Sequence, residues 1–191
     1  MDLNTKKYKC LNYAIIGDIL GFGNGEVEFN LFKSAKLEKE GDTSVADMTS
    51  FHIFNFISSG GYSRFNISNN IASDDSILTL AVYEAISNSY KKSNSEIIEA
   101  IKDNLITFYF KDKAKSKRFY GNRTVKALNR LNDNKNFNWK NFSYSKNAGG
   151  CGASIRSMPI GLFFYGEKNR DKLMEISIQS SRVTHNNPYG Y

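Results

Sequence analysis

The chain has 191 residues, of which 40% are hydrophobic and 14% aromatic, and this excludes a disordered polypeptide and favours one folded domain. Its 26 lysine and arginine residues exceed its 19 acidic residues, giving a net charge of +7. That charge is compatible with nucleic acid, an anionic membrane or a phosphate-bearing ligand, and does not choose among them. We predict a single domain over residues 1–191, complete or partial.

The location is predicted from what the sequence lacks. Cys10 and Cys151 have no Cys-x-x-Cys partner, so no disulfide framework is indicated. The first ten residues are polar and charged, and no apolar run approaches the length of a membrane span. We expect a cytoplasmic protein with no signal peptide and no membrane partner.

The first predicted helix runs from Tyr8 to Leu20, where apolar residues fall on one face. A glycine-spaced segment, Gly21–Glu26, follows it. A dinucleotide-binding fingerprint would need a strand before these glycines and a helix after them, so we interpret them as a turn that ends the helix. Asp18 is an acid on this otherwise inward-packing helix, and it is equally compatible with a hydrogen-bonding core group and with a site residue.

Between this turn and residue 70 the sequence is less informative. Lys33 to Gly41 is predicted as a short polar helix, and Thr49 to Asn70 as a loop-rich segment. His52, between two apolar residues, is more typical of a packed histidine than of a ligand.

Two adjacent carboxylates mark the start of the next predicted helix. Ser73 suits an N-cap, and Asp74 and Asp75 in the first turn favour the positive end of the helix dipole. The alternative is a hard-cation site, since carboxylates and a hydroxyl on a rigid helix start suit Mg²⁺. Both interpretations stay open on these residues alone.

The middle of the chain predicts two more helices. Ser93 and Glu96 form a capping box before an apolar-periodic run, and Arg123 to Leu131 has helical spacing. Between them, the basic stretch from Lys111 to Arg118 precedes two aromatic residues. This composition could grip a nucleic-acid backbone, but a solvated loop has the same composition and no nucleic-acid-binding motif supports the sharper interpretation.

The C-terminal part contains a glycine loop and a histidine. Residues 149–162 begin with small residues and continue into an apolar segment, which predicts a glycine loop leading into a helix N-terminus. Such a loop can approach a phosphate, or its glycines can simply allow close packing. The last predicted helix runs from Asp171 to Val183. His185 follows at its C-terminus, which favours a charged imidazole facing a phosphate or ribose, with helix capping as the alternative.

Together these motifs resemble those of the ADP-ribosylglycohydrolases. Each is weak alone, but their order and spacing are jointly specific, and they are most similar to those of the ADP-ribosylarginine hydrolase branch. The matching segments are Gly17-Asp18-Ile19-Leu20-Gly21, Asn24-Gly25, Glu28-Phe29, Ser73-Asp74-Asp75-Ser76, Gly149-Gly150-Cys151-Gly152-Ala153 with Arg156, and Ser181-Arg182-Val183-Thr184-His185 with Pro188 and Gly190-Tyr191.

The resemblance implies a fold, a reaction and a set of site residues. The fold would be all-α, an orthogonal helical bundle of this family's type without its C-terminal helices. The reaction would be Mg²⁺-dependent hydrolysis of the N-glycosidic bond of ADP-ribosylarginine. Metal ligands would be Ser73, Asp74 and Asp75, with Asp74, Asp75 and Glu28 in catalysis. ADP-ribose, free or on a protein, would contact the following residues: Asn24, Gly149, Gly150, Gly152 and His185.

The resemblance also implies a deficit. Family members hold a pair of Mg²⁺ ions, and half of the ligands come from a Gly-Asp-x-Asp-Ser/Thr motif that this sequence does not contain. At most partial metal ligation is therefore expected here. A truncated, inactive ADP-ribose-binding relative is the alternative, with self-association or a C-terminal partner fragment completing it. A basic nucleic-acid-binding domain is the least favoured interpretation.

Overall fold

The computed structural model describes residues 2–25, 53–54, 56–58, 60–61, 66 and 68–191. Within these ranges the regular secondary structure is helical and contains no strand, so the predicted all-α class is confirmed. Glu28, His52 and the helix predicted from Lys33 to Gly41 lie outside the described residues. The α-helices are α1 (Leu3–Phe22), α2 (Asp74–Ser89), α3 (Asn94–Lys111), α4 (Asn122–Asp133), α5 (Gly152–Ile155), α6 (Met158–Phe163) and α7 (Arg170–Arg182).

Helix α1 is longer than its apolar pattern predicts. It begins at Leu3 because Asp2 caps it, accepting hydrogen bonds from the backbone N–H groups of Asn4 and Thr5. It ends at the predicted glycine turn, where Gly23 has the left-handed conformation (φ 50°) and donates its N–H to the carbonyl of Ile19. The turn interpretation is therefore confirmed.

The core is built on α2 and α3, which make the most extensive helix pair. The predicted capping box starts α3: Ser93 accepts from the Glu96 backbone, and the Glu96 carboxylate accepts from the Ser93 backbone. Helices α4, α6 and α7 pack around this pair. The central buried side chains are Leu78, Val82, Ile86, Ile97, Ile101, Leu105, Leu128, Ile160 and Ile176.

Trp139 anchors the long connection between α4 and α5 to the core. This asparagine-rich stretch is a loop as predicted, with a short 3₁₀ turn at Trp139–Asn141. The indole is buried, and its Nε1–H donates to the Glu99 carboxylate at 2.9 Å. A loop without a core of its own is thereby held at a fixed place on α3.

Candidate functional site

The start of α2 presents the two predicted carboxylates. Ser73 is the N-cap, and its hydroxyl oxygen accepts the Asp75 backbone N–H at 3.1 Å. Asp74 accepts the backbone N–H of Gly121 at 3.3 Å and donates its own N–H to the Arg118 carbonyl at 3.2 Å. The capping interpretation is thus confirmed, and it leaves the metal interpretation open because a capped helix start still presents carboxylate oxygens.

Asp18 lies against this helix start from α1. One carboxylate oxygen accepts the Ser73 hydroxyl at 2.5 Å; the other accepts the Ser73 backbone N–H at 2.8 Å and the Ser76 hydroxyl at 2.5 Å. Both serines are buried. Asp18 therefore ties α1 to the start of α2 and fixes the direction of the Ser73 hydroxyl proton.

Arg118, in the segment before α4, supports the same helix start. It pairs with Asp112 at 2.9 Å and donates to the carbonyl of Ala72, immediately before the N-cap. Tyr120 also donates its hydroxyl to Asp112, and burial followed by that carboxylate raises the pKa of Tyr120. At this position the basic stretch is structural, since Arg118 is already engaged within the protein.

The start of α2 offers oxygen donors of the kind that Mg²⁺ prefers. Ser73, Asp74 and Asp75 offer a hydroxyl and two carboxylates, which are hard donors suited to Mg²⁺, an ion that takes about six oxygens and keeps several waters. In the described part of the chain no three His, Cys, Asp or Glu side chains cluster in a way that could hold a metal. The chemistry of these three donors therefore suits a hard cation, although the described residues form no metal-binding cluster around them.

The glycine loop lies against the last turn of the described chain. A Cβ on Gly149 would stand 3.2 Å from the Cβ of Tyr189. A Cβ on Gly190 would come within 2.4 Å of the Ala148 carbonyl oxygen and 3.1 Å of the His185 Cβ. Glycine at 190 is therefore required for this close approach, which no larger residue permits without a backbone shift.

The helix after the glycine loop differs from the expectation. Only the one-turn α5 (Gly152–Ile155) and the short α6 follow the loop. So short an element carries little dipole at its start, because the effect depends on aligned peptide units. An anion at this loop would meet individual backbone N–H groups and side chains rather than a helix terminus.

His185 is buried beside the loop, with 3% of its surface exposed. Its ring approaches the positions where side chains at Gly150 and Gly152 would begin: Nε2 is 3.8 Å from either built Cβ. Burial, then the charges of Arg156 and Arg123, lower the pKa of His185 to about 4. The expectation of a charged imidazole is contradicted, since burial first, and then the two guanidinium charges, favour the neutral ring.

Arg156 interacts with both parts of the candidate site, namely the start of α2 and the glycine loop with the His185 segment. The residue is 2% exposed, and its guanidinium donates to the carbonyl of Gly152 at 3.0 Å and to the Thr184 hydroxyl at 2.6 Å. Burial lowers the pKa of Arg156 to about 10, and the charge of Asp75 opposes that shift. The cation is therefore protonated at neutral pH, and it lies within electrostatic reach of α2 and in direct contact with the His185 segment.

Asn24 holds the chain that leads to Ser73. Its side-chain oxygen accepts the Ile71 N–H at 2.8 Å, and its amide donates to the Asn69 carbonyl at 3.3 Å. It has positive φ (57°), which asparagine tolerates better than most residues. This residue, predicted to bind substrate, contacts the protein itself with both ends of its amide.

A basic cavity of about 300 Å³ flanks the His185 segment. Three cations spaced along α4 line it, with Tyr144 and Thr184 among its other walls. No acidic residue lies among its described lining residues, so the cavity favours an anionic ligand. The three cations are Arg123, Lys126 and Arg130.

The structure brings most of the predicted site residues to one region. Ser73, Asp74 and Asp75 lie on α2, which packs against α5, and α5 follows Gly149 and Gly150 and begins at Gly152. Three contributors were not assigned a role from sequence: Asp18 was left open, and Arg156 and Thr184 entered only as motif residues. A buried arginine beside small residues gives little sequence signal, because its partners are backbone carbonyls and one hydroxyl.

Comparison with known proteins identifies the family. The ADP-ribosylglycohydrolase family model matches residues 3–191. The chain is 32% identical to the protein named ADP-ribosyl glycohydrolase L444 of Acanthamoeba polyphaga mimivirus, over 92% of this chain and 32% of that protein. It is 30% identical to the ADP-ribosylhydrolase ARH1 of Dictyostelium discoideum, over 93% of this chain and 42% of that protein. The chain belongs to the ADP-ribosylglycohydrolase family.

The matches cover nearly all of this chain but only part of each relative. The chain spans less than half the length of each of these curated relatives. Since the family model covers nearly the whole chain, the motif matches are not accidental. No helix in the described ranges is long and apolar enough to cross a bilayer.

Proposed function

We propose that this chain binds ADP-ribose and acts in the Mg²⁺-dependent hydrolysis of the N-glycosidic bond of ADP-ribosylarginine. The observation that carries the proposal is the buried Arg156, which contacts the glycine loop and the His185 segment while facing the charge of Asp75. A diphosphate ligand placed at the loop would then have its ribose end near α2. Arginine as the acceptor rests on the branch-specific motif residues.

Each residue has a proposed role that suits its chemistry. Backbone N–H groups from Gly149 to Gly152 would bind the diphosphate, which neutral His185 would meet with a ring N–H. The basic cavity beside His185 adds positive potential for the same anionic ligand. Glu28, which lies outside the described residues, is proposed as the acid near the anomeric carbon. Water adds to that carbon, and the arginine nitrogen leaves with a proton.

Magnesium is proposed at the start of α2. Ser73, Asp74 and Asp75 would hold it, and a bound Mg²⁺ supplies Lewis-acid polarisation of ribose hydroxyls and orientation of the attacking water. The Ser73 hydroxyl donates its proton to Asp18, so that an oxygen lone pair of Ser73 stays available to a cation. Residues 1–191 are proposed as a single domain of this type.

The test is release of ADP-ribose from an ADP-ribosylarginine substrate, with and without Mg²⁺. Wild type is compared with Asp74→Ala/Asp75→Ala, and Asp171→Ala on the exposed first turn of α7 is the matched control. We expect Mg²⁺-dependent release that the double substitution abolishes and the control retains. Equal release from all three proteins, or release independent of the metal, would refute the catalytic proposal.

The second candidate function is binding of ADP-ribose without turnover. It is favoured by the small number of candidate metal ligands at the start of α2. The three groups there, from Ser73, Asp74 and Asp75, would hold at most one ion. No release, with ADP-ribose still raising the melting temperature, would support it. A second copy or a C-terminal fragment could complete the site, and sedimentation with and without ADP-ribose measures self-association. Nucleic acid is not favoured as a partner. Binding that weakened steeply with salt and ignored Mg²⁺ would instead support it.

A further inference from the structure

We infer that Arg156 and Thr184 form a positioning relay, which holds His185 in one tautomer with its Nε2–H directed at the glycine loop. The inference deepens the proposed function, since it assigns the means by which His185 becomes a fixed hydrogen-bond donor to an anionic ligand. It rests on the direction of each hydrogen bond in a chain that joins three buried side chains.

The first step of the relay has a fixed direction. A guanidinium can only donate, so the Thr184 hydroxyl oxygen accepts the 2.6 Å hydrogen bond from Arg156. The same guanidinium is held in place by the carbonyls of Gly152 at 3.0 Å and Ser180 at 3.4 Å. Arg156 is therefore an anchored donor whose orientation does not depend on Thr184.

The second step follows from the first. The Thr184 oxygen lies 2.8 Å from Nδ1 of His185, and among the described contacts Nδ1 is the one acceptor recorded for this hydroxyl. The hydroxyl could also accept a second hydrogen bond, but its own proton would then have no recorded acceptor, so we assign Thr184 as the donor to Nδ1. A neutral imidazole that accepts at Nδ1 carries its proton on Nε2.

The Nε2 atom is placed to use that proton. It lies 3.8 Å from where a Cβ on Gly150 or Gly152 would be, so a side chain at either glycine would lie against it. No hydrogen bond to Nε2 is recorded within the described residues. No side-chain nitrogen or oxygen there is both sealed from solvent and without a partner, so Nε2 remains accessible to a ligand. A phosphate oxygen in the glycine loop would complete its hydrogen bonding.

The test measures the tautomer directly in the free protein. The chain has two histidines, so a His52→Gln background leaves His185 as the only imidazole in a ¹⁵N-histidine spectrum. We expect a proton on Nε2 and none on Nδ1. Thr184→Val removes the donor to Nδ1 at nearly constant volume and should give mixed or Nδ1–H tautomers. Thr184→Ser retains the hydroxyl and should restore the wild-type spectrum.

Arg156→Lys tests the anchor of the relay in the same background. A lysine cannot reproduce the forked contacts with Gly152 and Thr184, so we expect a weaker preference for Nε2–H. A wild-type spectrum in Arg156→Lys would show that the guanidinium is not needed and would overturn its role. If this variant does not fold, the Thr184 pair still decides the relay.

A binding titration with ADP-ribose separates the relay from the proposed function. Loss of one hydrogen bond to a charged phosphate should weaken binding about tenfold or more in Thr184→Val, and Thr184→Ser should recover it. Equal affinity in both variants, or an Nδ1–H tautomer in the wild type, would overturn the inference. If wild type binds no ADP-ribose, the proposed function fails, whereas the tautomer spectra still confirm or refute the relay.

Discussion

Replacing Asp18 with asparagine tests the contact between α1 and the candidate metal site. The wild-type carboxylate accepts three hydrogen bonds, from the Ser73 backbone, the Ser73 hydroxyl and the Ser76 hydroxyl. Asparagine can accept two of them through its oxygen, but its NH₂ group would face the Ser73 hydroxyl. Ser73 would then have to accept from both the introduced NH₂ group and the Asp75 N–H, which occupies both of its lone pairs.

The magnitude follows from the bonds that are lost or reversed. Hydrogen bonds to a charged group contribute about 1.5 to 3 kcal/mol, and asparagine preserves part of the network, so we expect a loss of about 1 to 2 kcal/mol in unfolding free energy. For a domain of this size that lowers the melting temperature by about 2 to 8 °C. Because no lone pair of Ser73 remains for a cation, stabilisation by Mg²⁺ should fall as well.

The assay is thermal unfolding with increasing Mg²⁺, with Asp171→Asn as the matched control. Asp171 is exposed in the first turn of α7, so its replacement should change stability by less than about 1 kcal/mol and leave the Mg²⁺ response intact. An Asp18→Asn protein with wild-type stability and a wild-type Mg²⁺ response would refute the reasoning about the Ser73 proton.

Three further predictions concern the packing and protonation around the site. Gly190→Ala should lose about 1 to 3 kcal/mol, because its Cβ would lie 2.4 Å from the Ala148 carbonyl oxygen, and urea unfolding measures this. Trp139→Phe removes the N–H donated to Glu99 and should cost about 1 kcal/mol by the same method. With a pKa of about 4, His185 takes up its proton less readily folded than unfolded. Stability should therefore fall as pH drops from about 6.5 towards 4, by up to about 3 kcal/mol, and His185→Gln should remove this part of the pH dependence.

Local signals in the sequence were sufficient for most helix positions. The capping box at Ser93 and the N-cap at Ser73 lie where they were predicted, because both depend on residues within one helical turn. Helix α1 was predicted too short, since its polar first turns are stabilised by the Asp2 cap rather than by an apolar face. The helix N-terminus predicted after the glycine loop is present only as a one-turn helix, because the apolar residues there form two short helices.

The candidate site was predictable as a set of residues but not as an electrostatic environment. The motifs indicated Asp75 and His185, whose proximity to Arg156 depends on tertiary packing of distant segments. The charge of His185 was wrongly predicted, since burial and two guanidinium groups cannot be seen in a linear pattern. The role of Asp18 was left open for the same reason: its partners are 55 and 58 residues away.

The central claim is that α2 and the glycine loop form one site for ADP-ribose and a divalent cation. Calorimetric titration of ADP-ribose with and without Mg²⁺, on wild type, Asp75→Asn and Asp171→Asn, tests it most directly. The account predicts tighter binding with Mg²⁺ for wild type and for Asp171→Asn, and loss of the Mg²⁺ effect in Asp75→Asn. Binding that ignores both the metal and Asp75, or no binding by any of the three proteins, would contradict it.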